Sequence, residues 1–167
     1  MEEIKMKLYV KEKLFSIHRK FYIRNEKEED VFEISSKIIS IGDKTSIKDM
    51  DGNDVSYIEQ EIFHFMPTYN IYIDNSLACK ISKKFQLFKN DYFLDNGFKV
   101  IGNFWMLNFI VYDENDIEIA NISRKFFSIG DQYVIEIHEK KNLKLALSII
   151  VAIANDVNRS QNTTNNN

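Results

Sequence analysis

The stretch Leu143-Lys144-Leu145-Ala146-Leu147-Ser148-Ile149-Ile150-Val151-Ala152-Ile153-Ala154 decides the fold. A membrane span needs about 20 apolar residues, whereas a run of about 10–14 has the length of a buried core helix. On a 3.6-residue helix Leu145, Leu147, Ile149, Ile150, Val151 and Ile153 point in every direction, which leaves no polar face for water. Such a helix must be enclosed by the rest of the chain or by lipid. Asn142 stands where a helix cap belongs, and Asn155-Asp156 closes the apolar run. The residues that follow, Ser160-Gln161-Asn162-Thr163-Thr164-Asn165-Asn166-Asn167, are polar and have nothing to bury. Residues 159–167 are therefore expected to form a disordered tail after a single domain over 1–158.

Between about Met6 and Ile137 the pattern has a period of two. Lys7-Leu8-Tyr9-Val10-Lys11, Phe21-Tyr22-Ile23-Arg24, Val31-Phe32-Glu33-Ile34, Ile71-Tyr72-Ile73, Phe109-Ile110-Val111-Tyr112 and Tyr133-Val134-Ile135-Glu136-Ile137 are rich in aromatic and β-branched residues. Turn residues separate them: 25–30, Asp51-Gly52-Asn53-Asp54, Asp74-Asn75, Asp95-Asn96-Gly97 and Asp113-Glu114-Asn115-Asp116. Asp-Gly and Asn-Gly supply the positive φ of tight turns, so at least two of these breaks are expected to be hairpins. Pro67, the only proline, suits an edge or a connection. Strand after strand with short turns is an all-β antiparallel arrangement. The economical way to enclose the final helix is a closed barrel around it.

An element recurs within the β region: Ile34-Ser35-Ser36-Lys37-Ile38, Ile81-Ser82-Lys83-Lys84-Phe85 and Ile122-Ser123-Arg124-Lys125-Phe126. Ile39-Ser40-Ile41-Gly42-Asp43 is echoed by Phe127-Ser128-Ile129-Gly130-Asp131. Three units of this size are too few for a closed propeller, and a barrel of similar hairpin modules fits better.

These motifs and the enclosed helix resemble the LURP-one-related family, which has the tubby C-terminal-like fold shared with phospholipid scramblases. The residues that carry the resemblance begin with Lys13-Leu14-Phe15-Ser16-Ile17 and Lys20-Phe21-Tyr22-Ile23 and continue with Ile81-Ser82-Lys83-Lys84-Phe85. They go on through Ala120-Asn121-Ile122-Ser123-Arg124-Lys125 and Ser128-Ile129-Gly130-Asp131-Gln132-Tyr133 to the closing helix. The resemblance covers roughly residues 6 to 157 and implies about twelve strands around a hydrophobic helix.

Composition narrows the function. Hydrophobic residues make up 44% and charged residues 28% of 167, which excludes a disordered chain. The net charge of −3 argues against a general nucleic-acid binder, and one cysteine excludes a disulfide framework. Met1-Glu2-Glu3-Ile4-Lys5 has no apolar stretch behind it, so no secretory signal is read, and the chain is expected to be a monomer in the cytoplasm. His18, His64 and His138 sit in separate strand-like segments, and no HExxH, GxSxG, P-loop or GxGxxG pattern is present. The chain is therefore read as non-enzymatic, with no cofactor. Cys79 reads as a small buried residue on the face of Leu77 and Ile81. Asp113 to Glu118 and Asp49 to Asp54 fail the EF-hand spacing and read as turns, so no metal is expected.

The basic pairs Lys83-Lys84 and Arg124-Lys125 occupy equivalent places in two repeats, and His18-Arg19-Lys20 adds a third basic step. Alternation puts Lys83 on the face of Ile81 and Phe85, and Arg124 on that of Ile122 and Phe126. A long cationic side chain on a core face marks the barrel rim, where its head reaches water. Tubby domains bind phosphoinositides, so the resemblance implies an anionic phospholipid headgroup at Lys83, Lys84, Arg124 and Lys125, with peripheral association at a membrane surface. The plain alternative is that these are edge charges that prevent sheet-to-sheet association, on a protein-interaction or structural scaffold.

Overall fold

A computed structural model describes residues 5–11, 20–38, 42–86, 89–125 and 132–165. The strands are β1 (Met6–Lys11), β2 (Lys20–Arg24), β3 (Asp30–Ile38), β4 (Asp43–Asp49), β5 (Asp54–Gln60) and β6 (Thr68–Ile73). They continue as β7 (Ser76–Gln86), β8 (Lys89–Leu94), β9 (Lys99–Asn103), β10 (Asn108–Tyr112), β11 (Glu118–Lys125) and β12 (Gln132–Ile137). A 3-10 turn, Lys140–Asn142, leads into α1 (Leu143–Asn165). The strands form one 12-stranded sheet in the order β8-β7-β6-β5-β4-β3-β2-β1-β12-β11-β10-β9. It is an antiparallel meander whose first and last strands pair, Leu8 opposite Ile135.

Alternation explains the lumen. Ile23, Ile34, Ile47, Ile58, Ile71, Ile81, Ile122 and Ile135 each project inward from a different strand and are fully buried. They meet α1, whose Ala146, Leu147, Ile149, Ile150, Val151, Ala152, Ile153 and Ala154 are shielded on every side. Each large side chain so buried contributes on the order of 1.5–3 kcal/mol. The helix that no polar face could solvate is thus the core of the barrel, as its pattern requires.

The barrel closes by apposition between β8 and β9. The Asn96-Gly97 turn joins these strands, with Gly97 at φ 84°, yet it closes no ladder: both strands are edges of the sheet. The turn is held toward β7 instead, where the Lys80 amide donates to the Asp95 carboxylate (2.7 Å) and the Asp95 amide to the Lys80 carbonyl (3.1 Å). Phe104 fills the space between, edge-on to Tyr92 at 5.0 Å and beside Phe109 at 5.3 Å. On the other side β9 presses close to β10, because a Cβ at Gly102 would lie 2.4 Å from the Asn108 carbonyl oxygen.

The helix extends further than its apolar run. The tail from 159, expected to be disordered, is helical through Asn165. Side-chain anchors account for this. Arg159 donates to Asp43 (2.8 Å) and Gln60 (2.6 Å), and Gln161 donates to the Trp105 carbonyl (3.1 Å). The last turns of α1 therefore leave through one mouth of the barrel, where the odd-numbered strands end. The opposite end carries the short turns between even and odd strands.

Candidate functional site

The three repeats lie at the ends of β3, β7 and β11, each four strands from the next around a 12-stranded barrel. Their register is shared. Ile34, Ile81 and Ile122 point inward and are fully buried. Two residues on, the inward positions are Ser36, Lys83 and Arg124. The next residues, Lys37, Lys84 and Lys125, are all exposed. The Phe126 that the third repeat shares with the second in sequence lies outside the described residues, as do His18 and Arg19.

Lys83 and Lys84, adjacent in sequence, have separate surroundings. Lys83 reaches into the mouth, where its Nζ donates to Asp156 Oδ2 at 2.9 Å and to the Ser160 hydroxyl at 3.3 Å. Asp156, on α1, is 1% exposed and would be costly to bury unpaired. Its carboxylate also accepts from the Tyr69 hydroxyl (2.9 Å, Oδ1) and the Tyr92 hydroxyl (2.6 Å, Oδ2). Burial, with the Asp156 charge adding, pushes both phenols well above their ordinary pKa. They remain hydrogen-bond donors. Asn155 beside it donates to Thr45, which pairs with Ser36, and Ser148 meets Ser56 at 2.6 Å. The helix thus has a buried polar seam matched by the sheet.

Lys84 stands outside, its Nζ 4.7 Å from the ring centre of Phe93. Lys83 and Lys84 both border a cleft of about 930 Å³ that runs along the β8–β9 seam past Lys99 and Trp105. Arg124 is half-buried on the inner face opposite Tyr133, and Lys125 is exposed. Three strands, β8 to β10, separate the Lys83-Lys84 pair from the Arg124-Lys125 pair. The four residues share one mouth but do not converge on one point.

Sequence reasoning named Lys20 as part of a third basic step and passed over Lys11, which stands at the same mouth. Lys11 ends β1 and Lys20 begins β2, and both are exposed. Lys20 is paired with Glu33 at 3.0 Å, which raises its pKa. The opposite end is acidic: its turns contain Glu26, Glu28, Glu29, Asp49, Asp51, Asp74, Asp95, Asp113, Glu114 and Asp116. The acids that had been read as turns serve there as turn acceptors. Asp49 takes amides from Asp51 (3.0 Å) and Asn53 (2.8 Å), and Asp113 takes those of Asn115 and Ile117, both at 2.9 Å. Hydrogen bonds from the Asn53 side chain and backbone hold the Asp49 carboxyl below its usual range.

Cys79 is 1% exposed and shares the inner face with Ile81. Leu77 does not, because the ladder shifts register near Ile71 and Tyr72 and turns Leu77 out to 52% exposure. Burial pushes the Cys79 thiol up to about 12, with the Asp95 charge adding. At pH 8 the native protein is expected to react with a thiol reagent roughly a thousandfold more slowly than a free cysteine. A labelling time course before and after unfolding checks this, and equal rates would contradict it.

Among the described residues no helix is long and apolar enough to cross a membrane. A meandering antiparallel sheet rolled around its own C-terminal helix is the tubby C-terminal-like architecture. A sequence model of the LURP-one-related family matches residues 6–154, and the chain belongs to that family. It is 25% identical over 149 residues to the uncharacterized protein YxjI of Bacillus subtilis (strain 168), covering 89% of this chain and 91% of that one. The X-ray structure of the Arabidopsis thaliana protein AT5G01750 superposes with a TM-score of 0.67, at 19% identity and over 93% of each chain. The latter likeness is one of fold. Neither the family description nor these relatives' names indicate an enzyme.

Proposed function

We propose that this domain is a non-enzymatic binding module that docks the mouth at the helix C-terminus onto an anionic phospholipid surface. The observation that carries the reading is the placement of Lys37, Lys84 and Lys125 at equivalent positions four strands apart, so that exposed cations surround the mouth. Lys11 and Lys20 fill the arc between β3 and β11. Spread in this way, the lysines cannot grip one phosphate together, but each can meet a separate headgroup of a flat surface. The acidic turns at the far end orient the barrel with its mouth toward negative charge. Each surface lysine contributes about 1 kcal/mol near an anionic leaflet, so the affinity is modest and depends on salt.

Co-sedimentation tests the reading. Vesicles of phosphatidylcholine alone are compared with vesicles containing phosphatidylserine or a phosphoinositide at matched total charge. The protein is expected to bind both anionic mixtures alike, to ignore the neutral one, and to bind less as salt rises. Absence of binding to either anionic mixture overturns the proposal and leaves a protein-interaction scaffold as the reading to pursue.

A further inference from the structure

The connection between β5 and β6, residues 61–67, opens at the same mouth and reads Glu61-Ile62-Phe63-His64-Phe65-Met66-Pro67. Phe63 is 100% and Phe65 99% exposed, and Ile62 is 47% exposed. Phe63 also holds a positive φ of 71°, a conformation costly for a bulky residue. A chain that only needed to join two strands would keep neither two fully solvated phenylalanines nor a left-handed one. The loop's acid is already compensated: Glu61 binds Lys80 at 2.7 Å and is also paired with His64. The Lys80 hydrogen bond holds the Glu61 carboxyl below its usual range. The projecting tip is therefore apolar. Across the seam, the turn after β9 brings Trp105 and Met106, 50% and 48% exposed, to the same mouth. From β3 through β7 to β11, exposed aromatic groups alternate with the exposed Lys37, Lys84 and Lys125.

We infer that residues 62–65 form an aromatic wedge, with Phe63 and Phe65 entering the acyl region of an anionic bilayer while the surrounding lysines engage its headgroups. The inference rests on the docking proposal above and adds a second, apolar mode of attachment. The partner is a lipid surface because the exposed phenylalanines share a mouth with exposed lysines, so charge complementarity and apolar contact act on the same face. Aromatic side chains suit that interfacial depth.

The two modes separate experimentally. The variant Phe63→Ser/Phe65→Ser is measured against the unaltered protein on phosphatidylserine-containing vesicles over a series of salt concentrations. Affinity at low salt is expected to fall by roughly tenfold for each phenylalanine replaced, with the steepness of the salt dependence unchanged. Both side chains face solvent, so the thermal melt of the variant is expected to match that of the parent. A second measurement uses the single native tryptophan as a position to vacate: in a Trp105→Phe/Phe63→Trp chain, acyl-chain bromination of the vesicles is expected to quench the emission. Undiminished affinity in the serine variant, or unquenched emission, overturns the wedge while leaving headgroup docking in place. If the unaltered protein binds no anionic vesicle, docking and wedge fall together.

Discussion

Replacing Asp156 by leucine is expected to destabilise the protein by about 3–5 kcal/mol, one of the largest effects available to a single substitution here. The carboxylate accepts from Lys83, Tyr69 and Tyr92 at 2.6–2.9 Å in a site where the Lys83 side chain is 11% and the Asp156 side chain 2% exposed. Removing it strands an ammonium and two phenol hydroxyls with little access to water. For a chain of this size the melting midpoint is expected to fall by roughly 6–20 °C. Lys83→Met alone is expected to act in the same direction, by leaving the carboxylate without its counter-charge. The double variant Asp156→Leu/Lys83→Met removes both charges, so it is expected to be much more stable than the sum of the single losses. Denaturant melts of the four proteins give the coupling directly. Additive losses would contradict the pairing.

This pair also marks where the sequence stopped being legible. The helix itself was readable because Leu147, Ile149, Ile150, Val151 and Ile153 leave no face for solvent, and with the period-two strands before it this pointed to a surrounding sheet. Its end was not, since a local pattern takes Asn155-Asp156 as a boundary. The residues that keep Asp156 inside are remote, Lys83 by 73 positions and Tyr69 by 87. The basic rim was half visible. Lys83-Lys84 and Arg124-Lys125 announced themselves as pairs, but the first repeat has serine at the inward place, which hid Lys37. At the inward places Lys83 is engaged with Asp156, while the outward Lys37, Lys84 and Lys125 are exposed. Phe63 and Phe65 alternate with His64 as strand residues do, and only three-dimensional placement distinguishes an exposed loop from a buried strand. The Asn96-Gly97 break, whose residues suit a hairpin, is a turn between strands that do not pair with each other. Phe104 packs at this seam against Tyr92 and Phe109.

Reversing the charge of the rim is expected to have the second large effect, on binding and not on folding. Lys37, Lys84 and Lys125 are exposed, so Lys37→Glu/Lys84→Glu/Lys125→Glu is expected to leave the melt close to that of the parent. Each lysine lost forfeits about 1 kcal/mol of attraction to an anionic leaflet, and each glutamate gained adds repulsion. The affinity is accordingly expected to fall by at least roughly a hundredfold. The matching control, Lys27→Glu/Lys140→Glu/Lys141→Glu, alters the net charge equally at the opposite end, where Lys27 and Lys140 are exposed and Lys141 pairs with Glu139 at 2.8 Å. Co-sedimentation of the parent and these two variants with phosphatidylserine-containing vesicles at low salt is the most direct measurement of the central claim. The account predicts that the rim variant stays in solution while the far-end variant pellets almost as the parent does. Equal loss in both variants would mean that net charge alone governs binding, and would contradict a docking face at the mouth.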